Sequence, residues 1–119
     1  GASAEISNSE IYASKEYHGV YCRGQDTITT VRSCKVYNIQ ATGLFAVDGG
    51  TMVVSDTEVW GSREKHGVSA QGADSKVSVE GGTVRDCCLT GVLCIDGGEI
   101  EMKGVKVLGE KQLDGVAVC

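Results

Sequence analysis

The chain contains no proline, and its aromatic residues amount to one tryptophan, one phenylalanine and four tyrosines. Without proline, beside 17 glycines and many valines, and without any low-complexity tract, the composition points to ordered strands joined by tight turns and away from disorder. Hydrophobic residues make up 41% of the 119, enough for the core of one domain and little more. With aromatics at 5%, that core must be built from small and β-branched side chains. Positive charge is scarce: 11 Lys and Arg stand against 16 Asp and Glu, leaving a net −5. This excess argues against a nucleic-acid partner, whose phosphates require a basic face. It argues equally against an anionic membrane surface. No apolar run approaches the roughly 18 residues of a membrane-spanning helix. No secretory leader is expected from the residues that open with Gly1-Ala2-Ser3.

The six cysteines are Cys22, Cys34, Cys87, Cys88, Cys94 and Cys119. No CxxC pair exists to hold zinc, and no metal or cofactor site is expected. Their spacing fits no compact disulfide framework. Buried free thiols in a reducing compartment are the favoured reading. The vicinal pair Cys87-Cys88, expected in a turn, leaves a disulfide or metal site as the alternative.

What the chain does contain is a repeat. Residues 7–20, SNSEIYASKEYHGV, return as SDTEVWGSREKHGV at 55–68, with 7 of the 14 positions identical. A glycine between a polar residue and Val or Leu recurs at Gly19, Gly43, Gly67, Gly91 and Gly115, each step being 24 residues. Asp48-Gly49-Gly50 recurs only as Asp96-Gly97-Gly98, so a 24-residue coil sits inside a 48-residue double unit. Apolar residues alternate with a period of two, which excludes a helical repeat. Three short strands per coil follow. The first points Val20/Cys22, Leu44/Ala46, Val68/Ala70, Val92/Cys94 and Val116/Val118 inward. The second does so with Ala4/Ile6, Thr29/Val31, Met52/Val54, Val77/Val79 and Ile100/Met102. The third contributes Ile11, Val36, Val59, Val84 and Val107, each preceded by a smaller residue such as Cys34 or Thr57. Successive coils then pair in parallel, about 4.8 Å apart. The glycine column is expected to serve bends that need glycine's backbone freedom. Asn8 and Asp56 suit left-handed turns before the third strand.

The segments HGVYCRG, TGLFAVDGG, HGVSAQG, TGVLCIDGG and DGVAV resemble the right-handed parallel β-helix of the pectin-lyase-like superfamily, and within it the short repeats of carbohydrate-binding and sugar-hydrolase type. The resemblance covers the whole chain and implies an all-β solenoid of about five 24-residue coils, a single domain over residues 1–119. The left-handed β-helix, with shorter coils, is the nearest rival. Because the chain starts and stops inside a coil, it is expected to belong to a longer solenoid. The resemblance also implies where an enzyme of this superfamily would act: catalytic Asp, Arg or Lys, or calcium carboxylates, on the outer face of the first strand. Here that face carries apolar residues, with Arg23 its one charged member, and no inserted loops wall a cleft. Catalysis is therefore not expected.

Function must lie on the outside, because a solenoid's interior is structural. Tyr21, Phe45, Val47, Leu93 and Ile95 are predicted to form an exposed apolar face on one flat sheet. Such a face suits a protein partner or a second copy of the chain. Tyr12, Tyr37, Trp60 and Arg85 form an outer stripe on the third strand. It would stack on a sugar or a peptide, or simply stabilise the sheet. Glu10, Lys35, Glu58, Thr83 and Lys106 beside it form a solvated column. His18 and His66 fall two coils apart with Thr42 between, a hydrogen-bonded turn column too widely spaced to share a metal. Asp48 and Asp96, also two coils apart, are at the wide limit for a pair of inverting carboxylates, but Asp-Gly is itself a turn signal. The leading expectation is a non-catalytic interaction scaffold. A carbohydrate-binding or polysaccharide-processing module is the alternative.

Overall fold

A computed structural model describes residues 3–12, 18–64, 66–86, 90–108 and 114–118. They form fifteen strands of three to six residues and no helix. The first sheet contains β3 (Val20–Arg23), β6 (Leu44–Val47), β9 (Val68–Gln71), β12 (Thr90–Ile95) and β15 (Asp114–Val118). The second contains β1 (Ser3–Ser7), β4 (Ile28–Arg32), β7 (Thr51–Ser55), β10 (Lys76–Glu80) and β13 (Glu99–Lys103). The third contains β2 (Glu10–Tyr12), β5 (Lys35–Tyr37), β8 (Glu58–Trp60), β11 (Thr83–Arg85) and β14 (Lys106–Leu108). Each sheet is ordered rung upon rung, and every pairing between rungs is parallel. The chain thus winds as a three-sided parallel β-solenoid. Four full turns separate β1 from β13, and β14 and β15 carry the path onward.

The inner columns run as the alternation requires. Val36, Val59 and Val84 stack in the third sheet, Val31, Val54 and Val79 in the second, and Leu44 and Val68 in the first, all buried. Like side chains stack on like because each rung repeats the one before it in register. Ala4 is exposed and Ile6, Ile11, Ile100 and Met102 only partly buried, because the outermost described rungs have a neighbour on one side only. Ile39 joins the core at 1% exposure, although no apolar repeat announces it: Ser62, 4% exposed, stands at its place one coil later, as Gly61 stands at that of Asn38.

The uniform 24-residue step holds for the first sheet but not for the other two. In the second, Thr29 pairs with Met52 and Met52 with Val77, so the steps alternate between 23 and 25 residues. The corner from first to second sheet explains this. It spans Gly24–Thr27 and Gly72–Ser75 in alternate coils, but only Asp48–Gly50 and Asp96–Gly98 in those between. The 48-residue double unit is therefore an alternation of long and short corners. Ser75, fully buried, joins one kind to the other: its hydroxyl donates to the Gln71 carbonyl at 2.8 Å and accepts the Gly49 N–H at 2.9 Å.

The corner before the third sheet repeats one backbone state. Asn8, Ser33, Asp56, Gly81 and Gly104 all have positive φ, from 47° to 69°. Asn and Asp tolerate this region, and Gly enters it freely. The glycine column before the first sheet has a different cause from the one expected. Gly19 and Gly43 lie outside the left-handed region; what they lack is space. A Cβ on Gly43 would fall 2.6 Å from Val59 Cγ1 and 2.8 Å from the Gly67 carbonyl oxygen. On Gly19 it would fall 2.6 Å from Val36 Cγ1 and from the Gly43 carbonyl oxygen. These glycines let one coil seat closely on the next.

Cys22, Cys34 and Cys94 are free and buried. The Cys22 thiol donates to the Thr51 carbonyl at 3.2 Å and that of Cys34 to Arg32 at 3.1 Å. Cys87, Cys88 and Cys119 lie outside the described residues.

Candidate functional site

On the outer face of the first sheet the register aligns Tyr21, Phe45, Ser69 and Leu93 in one column. Arg23, Val47, Gln71 and Ile95 align in the next. Large apolar side chains therefore occupy β6 and β12, while the rung between them carries only serine and glutamine. This corrects the flat, exposed patch expected from alternation. Tyr21 is exposed at 49%, but Phe45, Val47, Leu93 and Ile95 are half-buried. They stand as two ridges, and Ser69, 3% exposed, lies low between them.

A hollow of ≈ 230 Å³ opens over that rung. Phe45 forms one wall, Leu93 and Ile95 the other, with Ser69 and Gln71 beneath; His18, Thr42 and His66 close one end. Not one of these lining side chains is a carboxylate, ammonium or guanidinium. Two more open hollows, of ≈ 170 and ≈ 400 Å³, flank Ser78 on the second sheet, but Glu80, Glu101 and Lys103 border one and Lys76 and Glu99 the other.

His18 is fixed by its surroundings. Its ring stacks on Tyr21 at 5.3 Å and 15° and meets Phe45 at 4.7 Å and 59°. Tyr21 and Phe45 also touch, at 5.6 Å. The backbone N–H of Thr42 donates to His18 Nδ1 at 3.1 Å, which places the imidazole proton on Nε2. Burial holds the His18 pKa below its ordinary value. The His–Thr turn column expected from sequence thus reaches from side chain to backbone. His66 sits two rungs along and lines the same hollow as His18. Sequence reasoning placed both histidines in a turn column but missed that they share a cavity with Phe45 and Leu93. The signal was present: Ser69 interrupts an otherwise bulky outer column.

The stripe on the third sheet is a continuous stack. Tyr12 lies on Tyr37 at 5.1 Å and 9°, and Tyr37 on Trp60 at 4.5 Å and 4°. The Arg85 guanidinium covers the next face of Trp60 at 4.8 Å. Arg85 also pairs with Asp86 at 3.0 Å. Parallel in-register pairing puts identical columns about 4.8 Å apart, close to ring-stacking distance. The faces of Tyr37 and Trp60 are thereby turned on their neighbours, with their edges to the outside. The Tyr37 phenol donates to Glu10 Oε2 at 3.5 Å, and desolvation, then the Glu10 carboxylate, push its pKa up.

Asp48 and Asp96 share a φ of 51°, each opening a short corner. Asp48 accepts from Arg23 Nε at 2.8 Å, a pair exposed on both sides. Arg23, the charged member of the first-sheet face, is thus tied to the corner. Among the described residues no three of His, Cys, Asp and Glu gather as metal ligands.

The class of protein follows from this geometry: a three-sided parallel β-solenoid with an aliphatic core. A family model for the right-handed β-helix region matches residues 1–118, and the chain belongs to that family. No curated protein and no solved structure matches it significantly.

Proposed function

We propose that this β-helix domain is a non-catalytic scaffold whose first sheet docks a protein partner. The observation that carries this reading is the pair of apolar ridges, Phe45/Val47 and Leu93/Ile95, around a hollow lined by no carboxylate, ammonium or guanidinium group. Charged residues are 23% of the chain, so an uncharged recess between apolar walls is set apart from the rest of the surface. The carbohydrate reading has less support. The Tyr37 and Trp60 faces are spent on each other and on Arg85, and Asp48 is engaged by Arg23 in a turn.

The test is selection of displayed peptides on the wild-type domain, repeated on the Phe45→Glu/Leu93→Glu variant. Peptides that bind the wild type and lose at least about tenfold in affinity on the folded variant support the reading. Light scattering across concentration separates a second copy from a foreign partner. Peptides that bind both proteins equally would overturn the docking face. So would a failed selection together with a monomer at every concentration.

A further inference from the structure

The hollow over Ser69 has the shape of a missing side chain. In the third sheet three consecutive rungs carry rings, and these stack at 5.1 and 4.5 Å. In the first sheet the corresponding column runs Tyr21, Phe45, Ser69, Leu93. Tyr21 and Phe45 touch at 5.6 Å, and then the series stops at a serine. Two rung steps separate the Phe45 and Leu93 strands, roughly 9.6 Å. The third sheet shows that this span holds one ring between two flanking side chains.

We propose that this hollow takes one uncharged aromatic side chain from a projecting segment of a protein partner, completing the column between Phe45 and Leu93. The inference rests on the docking face proposed above and specifies its occupant. Charge restricts the choice. An ammonium or guanidinium entering the hollow would lose its hydration with no carboxylate on the lining to replace it. Thr42, Ser69 and Gln71 bring hydroxyl and amide groups to the end and floor, which suit the phenol of tyrosine or the indole N–H of tryptophan. Area restricts it further. The patch from Tyr21 to Ile95 covers four rungs of a four-residue strand, on the order of 250 Å² in plan. A stable dimer needs about 800 Å² on each partner. A single inserted side chain fits this patch, and a second copy seated on it alone does not. A pyranose carries hydroxyls around its whole rim, and the Phe45, Leu93 and Ile95 walls would leave several unpartnered.

The test uses the ¹⁵N-labelled domain titrated separately with N-acetyl-tyrosinamide, N-acetyl-leucinamide and methyl glucopyranoside. The tyrosine probe should shift the amides of Thr42, Ser69 and Leu93 with millimolar affinity, at least about tenfold tighter than the other two. Ser69→Phe supplies the missing ring from within. It should keep the urea midpoint at or above wild type and abolish the shifts, and Ser69→Leu replaces it if it fails to fold. Absence of shifts with the tyrosine probe, equal shifts in the folded Ser69 variant, or tighter binding of the glucoside would each overturn the inference. Peptides selected on the wild type that need Phe45 and Leu93 but carry no aromatic consensus would overturn it too, while leaving the docking face standing.

Discussion

Gly50→Ala tests whether glycine at the short corner serves space or torsion. Gly50 lies outside the left-handed region, so alanine meets no torsional penalty there. Its Cβ would, however, fall 2.5 Å from the Cys22 carbonyl oxygen and 2.9 Å from its carbon. Those atoms belong to the backbone of the previous coil and cannot swing aside. The coils would have to separate by several tenths of an ångström. That stretches the Thr51 N–H to Thr27 carbonyl bond between the two coils, now 2.9 Å. Overpacking of this kind costs about 1–3 kcal/mol. Each weakened hydrogen bond forfeits part of roughly 0.5–1.5 kcal/mol. Alanine recovers about 0.4–1 kcal/mol by restricting the unfolded chain. The expected net loss is about 1–3 kcal/mol, read as a lower urea midpoint with an unchanged slope. Gly104→Asn is the companion. Gly104 has φ +64° and open space around its Cβ position, and Asn8 already fills the equivalent corner. That substitution should leave the midpoint within about 0.5 kcal/mol of wild type. A Gly50→Ala protein as stable as wild type would refute the contact argument.

Three further outcomes follow from the same structure. His18 has a folded-state pKa below its unfolded value, so the folded protein binds fewer protons there; its contribution is present above pH 6.5 and lost as the pH falls through the folded pKa. Urea midpoints measured from pH 8 to pH 5 should fall on the acid side, and His18→Asn should flatten that fall; an unaltered profile in the variant would discount the histidine. Trp60→Ala removes the stack on Tyr37 and the Arg85 contact, each worth roughly 0.5–1.5 kcal/mol, and should lower thermal stability and remove the tryptophan bands from the near-ultraviolet circular dichroism, leaving the Tyr12–Tyr37 stack. Arg23→Ala breaks an ion pair whose side chains are 66% and 56% exposed, so its urea midpoint should move by less than about 0.5 kcal/mol.

Much of the fold was legible because a solenoid writes its contacts locally. Each residue meets its own counterpart one coil later, so a column such as Val36, Val59, Val84 can be read by counting. Turn chemistry was legible for the same reason: Asn8 and Asp56 have the left-handed backbone their side chains allow. The candidate site was legible in part. Alternation identified Phe45, Val47, Leu93 and Ile95 as outward, but not that they are half-buried and flank a hollow over Ser69. Ile39 entered the core from a corner, where no period of two applies.

The amino-acid sequence by itself determined the architecture: the 24-residue return, the period of two and the turn residues leave few ways to wind the chain other than stacked parallel coils. It also determined which side chains face outward on each rung. Tertiary structure decided the rest. Only the distance between coils shows that Gly19 and Gly43 are glycines for lack of room. Only the assembled face shows that His18, Thr42, Phe45, His66 and Leu93, drawn from different coils, surround one uncharged hollow. The physical reason is that pattern specifies direction, while contact depends on the separation and shape of neighbours that the chain brings together from 24 or more residues away.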